Sequence, residues 1–192
     1  MPITNLLRIA ELSVRQLSSD PCFFGNRFIL SGDGCLFASK RPQNPKHMLR
    51  FIYLFSDAAL ITVIYIAFTA LANITSTHDL WLSVHTDSDG AEIRLETNIP
   101  PIPTSKKEAA KTFSRCTETL ISFALCLAET EGFAPSSAHD PEKNTYSIHL
   151  HIGKENKSEG EFRCGEPTGE EISELFQNAG LLAGLLNEKN SE

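Results

Sequence analysis

The feature that most constrains this fold is a nearly continuous apolar segment at residues 57–73, DAALITVIYIAFTALAN. Its length is near that of a bilayer-spanning helix, about 17–25 residues. Thr62, Thr69 and Asn73 interrupt the segment, and it lies at the short end of this range. We therefore interpret it as a helix over about 57–75, buried on nearly all sides in a soluble protein, and expect the other elements to pack around it.

The remaining elements follow from hydrophobic periodicity. Amphipathic helical patterns lie at 4–17, 105–131 and 169–187. Alternating patterns predict strands at 79–86, 91–97 and 145–152, of which the first two form a hairpin through Asp87-Ser88-Asp89-Gly90. Another hairpin is predicted within 28–38, and irregular segments at 38–47, 98–105 and 132–144.

This order of elements predicts an α+β fold. We expect a two-layer α/β sandwich, in which a mixed, mostly antiparallel sheet carries the helices on one face. A single domain over 1–192 is expected, consistent with the chain's length. It comprises an N-terminal helix within 1–20, a core at 28–155 and a C-terminal helix within 166–188.

Charge and cysteine content exclude several classes. The net charge of −7 gives no basic field for a phosphate backbone, so neither nucleic acid nor an anionic membrane is an expected partner. The cysteines are odd in number and form no C-x-x-C pair, which argues against a disulfide framework or a zinc ribbon. A cytoplasmic location with reduced thiols is expected.

The apolar helix carries one narrow polar stripe. At helical spacing, Thr62, Thr69 and Asn73 lie on one line, flanked by Tyr65 and Ser76. Such a stripe lines a polar pocket or a partner in one interpretation. In the other, the hydroxyls bond back to their own helix and Asn73 caps its end. The sequence leaves both open.

Two segments together resemble the Bergerat ATP-binding fold of the GHKL group, which includes gyrases, histidine kinases and anti-sigma serine kinases. The family's first motif is a helix ending Glu-x-x-x-Asn-Ala, where this chain has TALANI, residues 69–74. The second is a string such as D-N-G-P-G-I-P, where this chain has TNIPPIP, residues 97–103. The resemblance covers about 55–155 and implies a histidine-kinase-like ATPase domain of the anti-sigma type.

The resemblance implies roles for three residues if a nucleotide binds. Asn73 matches the family's Mg²⁺-binding asparagine, Thr69 replaces its general base or water-orienting glutamate, and Thr97 replaces the aspartate that accepts from adenine. A threonine hydroxyl does not act as a base near neutral pH. The family glycines are replaced by Ile99 and Pro101, and residues 105–115 contain no glycine to cradle phosphates. We therefore expect no bound ATP or Mg²⁺ and no catalytic residue.

Histidines suggest one alternative site. His149 and His151 share a strand face, where a metal binds only if further ligands converge, and His85 joins them only if the strand order allows it. We favour an exposed polar sheet face and predict no metal site.

These observations predict a degenerate, non-catalytic bacterial protein of a signalling or sporulation-type pathway, which acts through a protein partner or as a homodimer. The amphipathic terminal helices suit such docking. Two alternatives remain: a divergent ATP- and Mg²⁺-dependent serine kinase of the anti-sigma type, and a small-molecule sensor that uses the polar stripe.

Overall fold

The structure is a computed structural model that describes residues 3–32, 52–53, 57–86, 90–101, 113–153, 157–158 and 169–188. The helices are α1 (Ile3–Leu17), α2 (Asp57–Ala72), α3 (Arg115–Thr130) and α4 (Gly169–Glu188), with a 3-10 turn at Pro21–Phe23. The strands are β1 (Arg27–Gly32), β2 (Ile52–Tyr53), β3 (Asp79–Thr86), β4 (Gly90–Asn98), β5 (Ala134–Asp140), β6 (Thr145–Gly153) and β7 (Lys157–Ser158).

Five strands form one mixed sheet in the order β1-β3-β4-β6-β5, and β2 pairs with β7 separately. Strand β1 runs parallel to β3, whereas the other neighbours in the large sheet are antiparallel. In the centre Leu82 pairs with Leu95, which pairs in turn with Ile148. These three are buried on the face that the helices cover. The predicted α+β sandwich with a mixed sheet is confirmed.

Helix α2 lies at the centre of the core, as its composition predicts. Residues from Leu60 to Leu71 are buried except for Thr62 and Thr69, which are half-buried. The helix contacts α1, α3 and α4 as well as β3 and β4. Because neighbours surround it, the helix needs no polar face. Among the described residues, no helix is both long and apolar enough to cross a membrane.

Two predicted helix boundaries were wrong. The helix predicted at 57–75 ends at Ala72, because the N–H groups of Asn73 and Ile74 bond to carbonyls three residues back and tighten the last turn. The helix predicted at 105–131 begins only at Arg115, because Ser114 is extended and caps it by accepting from the Thr117 N–H. Residues 105–112 of that prediction lie outside the described residues.

The strand predictions also need two corrections. Residues 134–140, predicted as loop, form edge strand β5, because the ladder with β6 supplies hydrogen bonds that the segment's polar composition does not suggest. The first strand of the hairpin predicted at 28–38 is β1, which pairs with the distant β3. The second half of that hairpin lies outside the described residues.

Candidate functional site

The end of α2 presents the first sequence motif. Thr69 is half-buried, and its hydroxyl donates to the Tyr65 carbonyl at 2.9 Å, one turn back along the same helix. Asn73 lies just beyond the helix and is exposed. Thr69 therefore follows the second interpretation of the polar stripe, in which the hydroxyl bonds to its own helix.

The end of β4 presents the second motif. Thr97 is fully buried, and its hydroxyl donates to the Asp79 carbonyl at 2.8 Å. Asp79 begins β3, the neighbouring strand, so this bond joins the end of one strand to the start of the next. The Thr97 side chain faces the helix-covered side of the sheet with Leu95 and Ile93.

Ile99 turns inward directly after β4. It is 2% exposed and belongs to the main hydrophobic core, whereas Pro100 and Pro101 are exposed. Its N–H donates to the Asn144 carbonyl at 2.8 Å, in the turn before β6. The backbone bond and the buried side chain therefore hold this residue from two sides.

The two motif segments meet in the fold. The N–H of Ser76, which follows α2, donates to the Asn98 carbonyl at 2.8 Å. The Asn98 side-chain amide is 3.4 Å from the Thr77 hydroxyl. Thr69, Asn73 and Thr97 thus lie on segments that the structure joins through Asn98.

An ion pair between Arg27 of β1 and Asp79 of β3 links these two strands beside this region. Two guanidinium nitrogens of Arg27 contact the two Asp79 carboxylate oxygens at 2.7 and 2.8 Å. This bidentate hydrogen bonding lowers the pKa of Asp79 and raises that of Arg27. The Arg27 N–H also donates to the carbonyl of His78, which has a φ of 60°.

The sequence did not identify a polar contact deeper in the core. Tyr65 is 2% exposed, and its hydroxyl donates to Asp20 Oδ2 at 2.9 Å. The other Asp20 carboxylate oxygen accepts from the Cys22 N–H and caps the 3-10 turn. Tyr65, which flanks the polar stripe, therefore binds the N-terminal segment through Asp20.

The histidines predicted to share a strand face do so on the side of the sheet away from the helices. His151 is exposed, whereas His149 contacts Ser147 and Glu92. The strand order places Glu92 directly between His85 and His151. Within the described ranges, no three metal-binding side chains converge on a point.

Comparison with known proteins identifies the fold. No protein-family model and no curated protein matches the sequence. One nucleotide-free structure of the catalytic domain of histidine kinase ThkA superposes with a TM-score of 0.54 at 12% identity, covering 78% of this chain and 92% of that domain. A second nucleotide-free form gives 0.52 at 13% identity, covering 78% and 95%. The chain therefore has the fold of a histidine kinase catalytic domain.

Proposed function

We propose that this chain is a regulatory protein with a degenerate histidine-kinase-like ATPase fold, which acts by protein association and not by phosphoryl transfer. The observation that carries the proposal is the burial of Ile99 in the main core, at 2% exposure. In the motif that the chain resembles, glycine at this place lets a nucleotide approach the backbone. Here a branched side chain fills space next to the strand end.

The polar residues of the two motifs support the same proposal. The Thr97 hydroxyl uses its only proton on the Asp79 carbonyl and is fully buried. It also lacks the charge with which a carboxylate strengthens a hydrogen bond to an adenine amino group. The Thr69 hydroxyl donates to its own helix and does not act as a base near neutral pH. These residues do not fit ATP with Mg²⁺.

A thermal-shift experiment with ATP and Mg²⁺ tests the loss of nucleotide binding. A ligand at 100 times its dissociation constant stabilises a folded protein by about 2.7 kcal/mol. We expect no change in Tm at millimolar ATP with Mg²⁺, for the wild type and for Asn73→Ala alike. A saturable rise in Tm with ATP in the wild type would contradict the proposal.

The exposure of Asn73 favours one alternative, a divergent ATP- and Mg²⁺-dependent serine kinase. An exposed amide at the end of α2 is open to a metal–phosphate group. This alternative predicts a rise in Tm with ATP and Mg²⁺ that Asn73→Ala removes. Ser76→Ala, an exposed change just beyond the same helix, is the matched control and should keep the shift.

The C-terminal helix supports association between copies of the chain. Helix α4 packs Phe176, Ala179 and Ala183 into the core, but Leu181 and Leu185 are 70% and 57% exposed. These two leucines lie one turn apart on the same helix face. Large apolar side chains grouped in this way are typical of association surfaces.

Sedimentation velocity over a range of concentrations tests the homodimer. We expect a dimer in the wild type and a monomer after the double change Leu181→Glu and Leu185→Glu, because two buried carboxylates oppose association. Ser122→Glu adds charge at an exposed position of a different helix, α3, and should leave the dimer intact. A wild type that is monomeric at all concentrations would contradict the homodimer.

A further inference from the structure

Three side chains form a hydrogen-bonded relay on the sheet face away from the helices. Ser147 and His149 lie two residues apart on β6, and Glu92 lies on the neighbouring β4. The Ser147 Oγ is 2.9 Å from His149 Nε2. On the other side of the imidazole, His149 Nδ1 is 2.6 Å from Glu92 Oε1.

The chemistry of the partners sets the position of the protons. We assign the hydrogen of that bond to His149 Nδ1, with the Glu92 carboxylate as its acceptor. In this tautomer the lone pair lies on Nε2, which accepts from the Ser147 hydroxyl. The Ala138 carbonyl, at 3.4 Å, is the poorer acceptor for this hydroxyl. Ser147, His149 and Glu92 are thus arranged in the order of a nucleophile, its general base and a carboxylate that orients the base.

Residues of the two neighbouring strands flank this relay. On β4, Arg94 lies opposite His149 and bonds to Glu96 through Nη2. Its Nε is buried and has no acceptor among the described residues. On β5, the small exposed residues Ser136 and Ala138 lie opposite His149 and Ser147. Among the described residues, the relay therefore has an unpaired donor on the neighbouring β4 and small exposed residues on the neighbouring β5.

We propose that Ser147 accepts the acyl group of small activated carboxylic esters. Its Oγ attacks the carbonyl carbon while the hydroxyl proton passes to His149 Nε2. The bond to the leaving alcohol breaks, and that oxygen takes the electron pair and then the proton. Water, with His149 again as base, releases the carboxylic acid and restores the serine. The unpaired Arg94 Nε–H donates to the carbonyl oxygen, whose negative charge grows during the attack.

The burial of Ser147 limits the substrate. The residue is only 4% exposed, so its Oγ is reached by a small flat group and not by a bulky one. The acetyl group of 4-nitrophenyl acetate is of this size, and its leaving phenolate is coloured. This ester is therefore the probe of choice.

The experiment follows nitrophenolate release and locates the acetyl group by peptide mass spectrometry. We expect the wild type to be acetylated on Ser147, and Ser147→Ala to lose both that label and the initial burst. His149→Ala should lower the acylation rate by about 100-fold or more, since the general base is lost. Ser122→Ala removes an exposed serine on α3, away from the relay, and should keep the wild-type rate.

Glu92→Gln tests the positioning role with little risk to folding, because this side chain is 40% exposed. The amide still accepts from His149 Nδ1 but lacks the charge that stabilises the imidazolium. We expect a lower maximal acylation rate at an unchanged half-saturating ester concentration and an unchanged Tm. Acetylation absent from Ser147, or a wild-type rate on Ser147 in folded His149→Ala or Glu92→Gln protein, would overturn the proposal.

Discussion

At the scale of single residues, Tyr65 has the contacts with the clearest energetic consequence. Its ring makes edge contacts with Phe23 at 5.4 Å and a tilted contact with Phe176 at 6.1 Å. Its hydroxyl is bonded to Asp20. Burial first, and this hydrogen bond second, raise the pKa of Tyr65 far above its ordinary value of 10.0. The folded state therefore holds the phenolic proton more tightly than the unfolded state does.

Tyr65→Phe should lower the free energy of unfolding by about 1–2 kcal/mol at neutral pH, since the half-buried Asp20 carboxylate loses one donor. The raised pKa also gives a pH dependence. Stability from the protonated phenol is complete below pH 10 and falls as the pH rises above it. Urea denaturation at several pH values should show a smaller alkaline loss in the variant than in the wild type.

Tyr146→Phe is the matched control for this change. Tyr146 is also largely buried, and its ring packs against Phe113 at 5.2 Å. The same chemical change at this position should leave the alkaline loss of stability as it is in the wild type. If both variants changed the loss of stability at alkaline pH equally, the role given to Tyr65 would be contradicted.

At the scale of elements, α4 covers α2 with one face and leaves the other exposed. Gly180 lies on the face that covers α2, and Gly184 lies on the exposed face. A Cβ at Gly180 would lie 3.0 Å from the Tyr65 hydroxyl oxygen, whereas a Cβ at Gly184 would have no atom within 4 Å. Because Tyr65 is held by two rings and by Asp20, it has little freedom to move away from a new methyl group.

The pair Gly180→Ala and Gly184→Ala should therefore have opposite effects. Alanine at position 184 should raise the free energy of unfolding by about 0.5–1 kcal/mol through helix propensity. Alanine at position 180 should lower the free energy of unfolding, because its close contact with Tyr65 outweighs the same gain in helix propensity. Urea denaturation of both variants measures the difference, and equal stabilisation by the two would show that Tyr65 moves freely.

At the scale of the whole molecule, the terminal helices are part of the core. Helices α1 and α4 both contact α2, which in turn contacts β3 and β4 of the sheet. Buried residues of α1, such as Ile9 and Leu17, belong to the same hydrophobic cluster as Phe176 of α4. Loss of either terminal helix would expose α2, so we expect the chain to unfold as one unit.

Two optical probes test this cooperativity. The single tryptophan, Trp81, lies on β3 and reports on the sheet, whereas far-ultraviolet circular dichroism reports mainly on the helices. Unfolding by urea should give the same midpoint by both probes. A helical transition that precedes the change in Trp81 fluorescence would contradict a single unfolding unit.

The local sequence was enough to predict those helices and strands in which buried residues recur with a regular spacing. The apolar residues of α2 and the alternation in β4 and β6 predicted helix, strands and buried faces, because each element's pattern reflects its own environment. The resemblance to the Bergerat fold, and not the hydrophobic pattern, singled out Thr97 and Ile99, whereas Thr69 and Asn73 also belong to the polar stripe. The loss of nucleotide binding stays a prediction that the thermal-shift experiment tests.

Tertiary structure decided what depends on distant partners. Edge strand β5 has little apolar pattern and contains Pro135, so only its ladder with β6 reveals it. Pairing of β1 with β3 joins segments about 50 residues apart, which periodicity does not encode. The sequence placed His149 and His151 on one face, but the strand order brought Glu92 to His149. The physical reason is that periodicity reports which side of an element is buried, whereas contacts between elements depend on the folded topology.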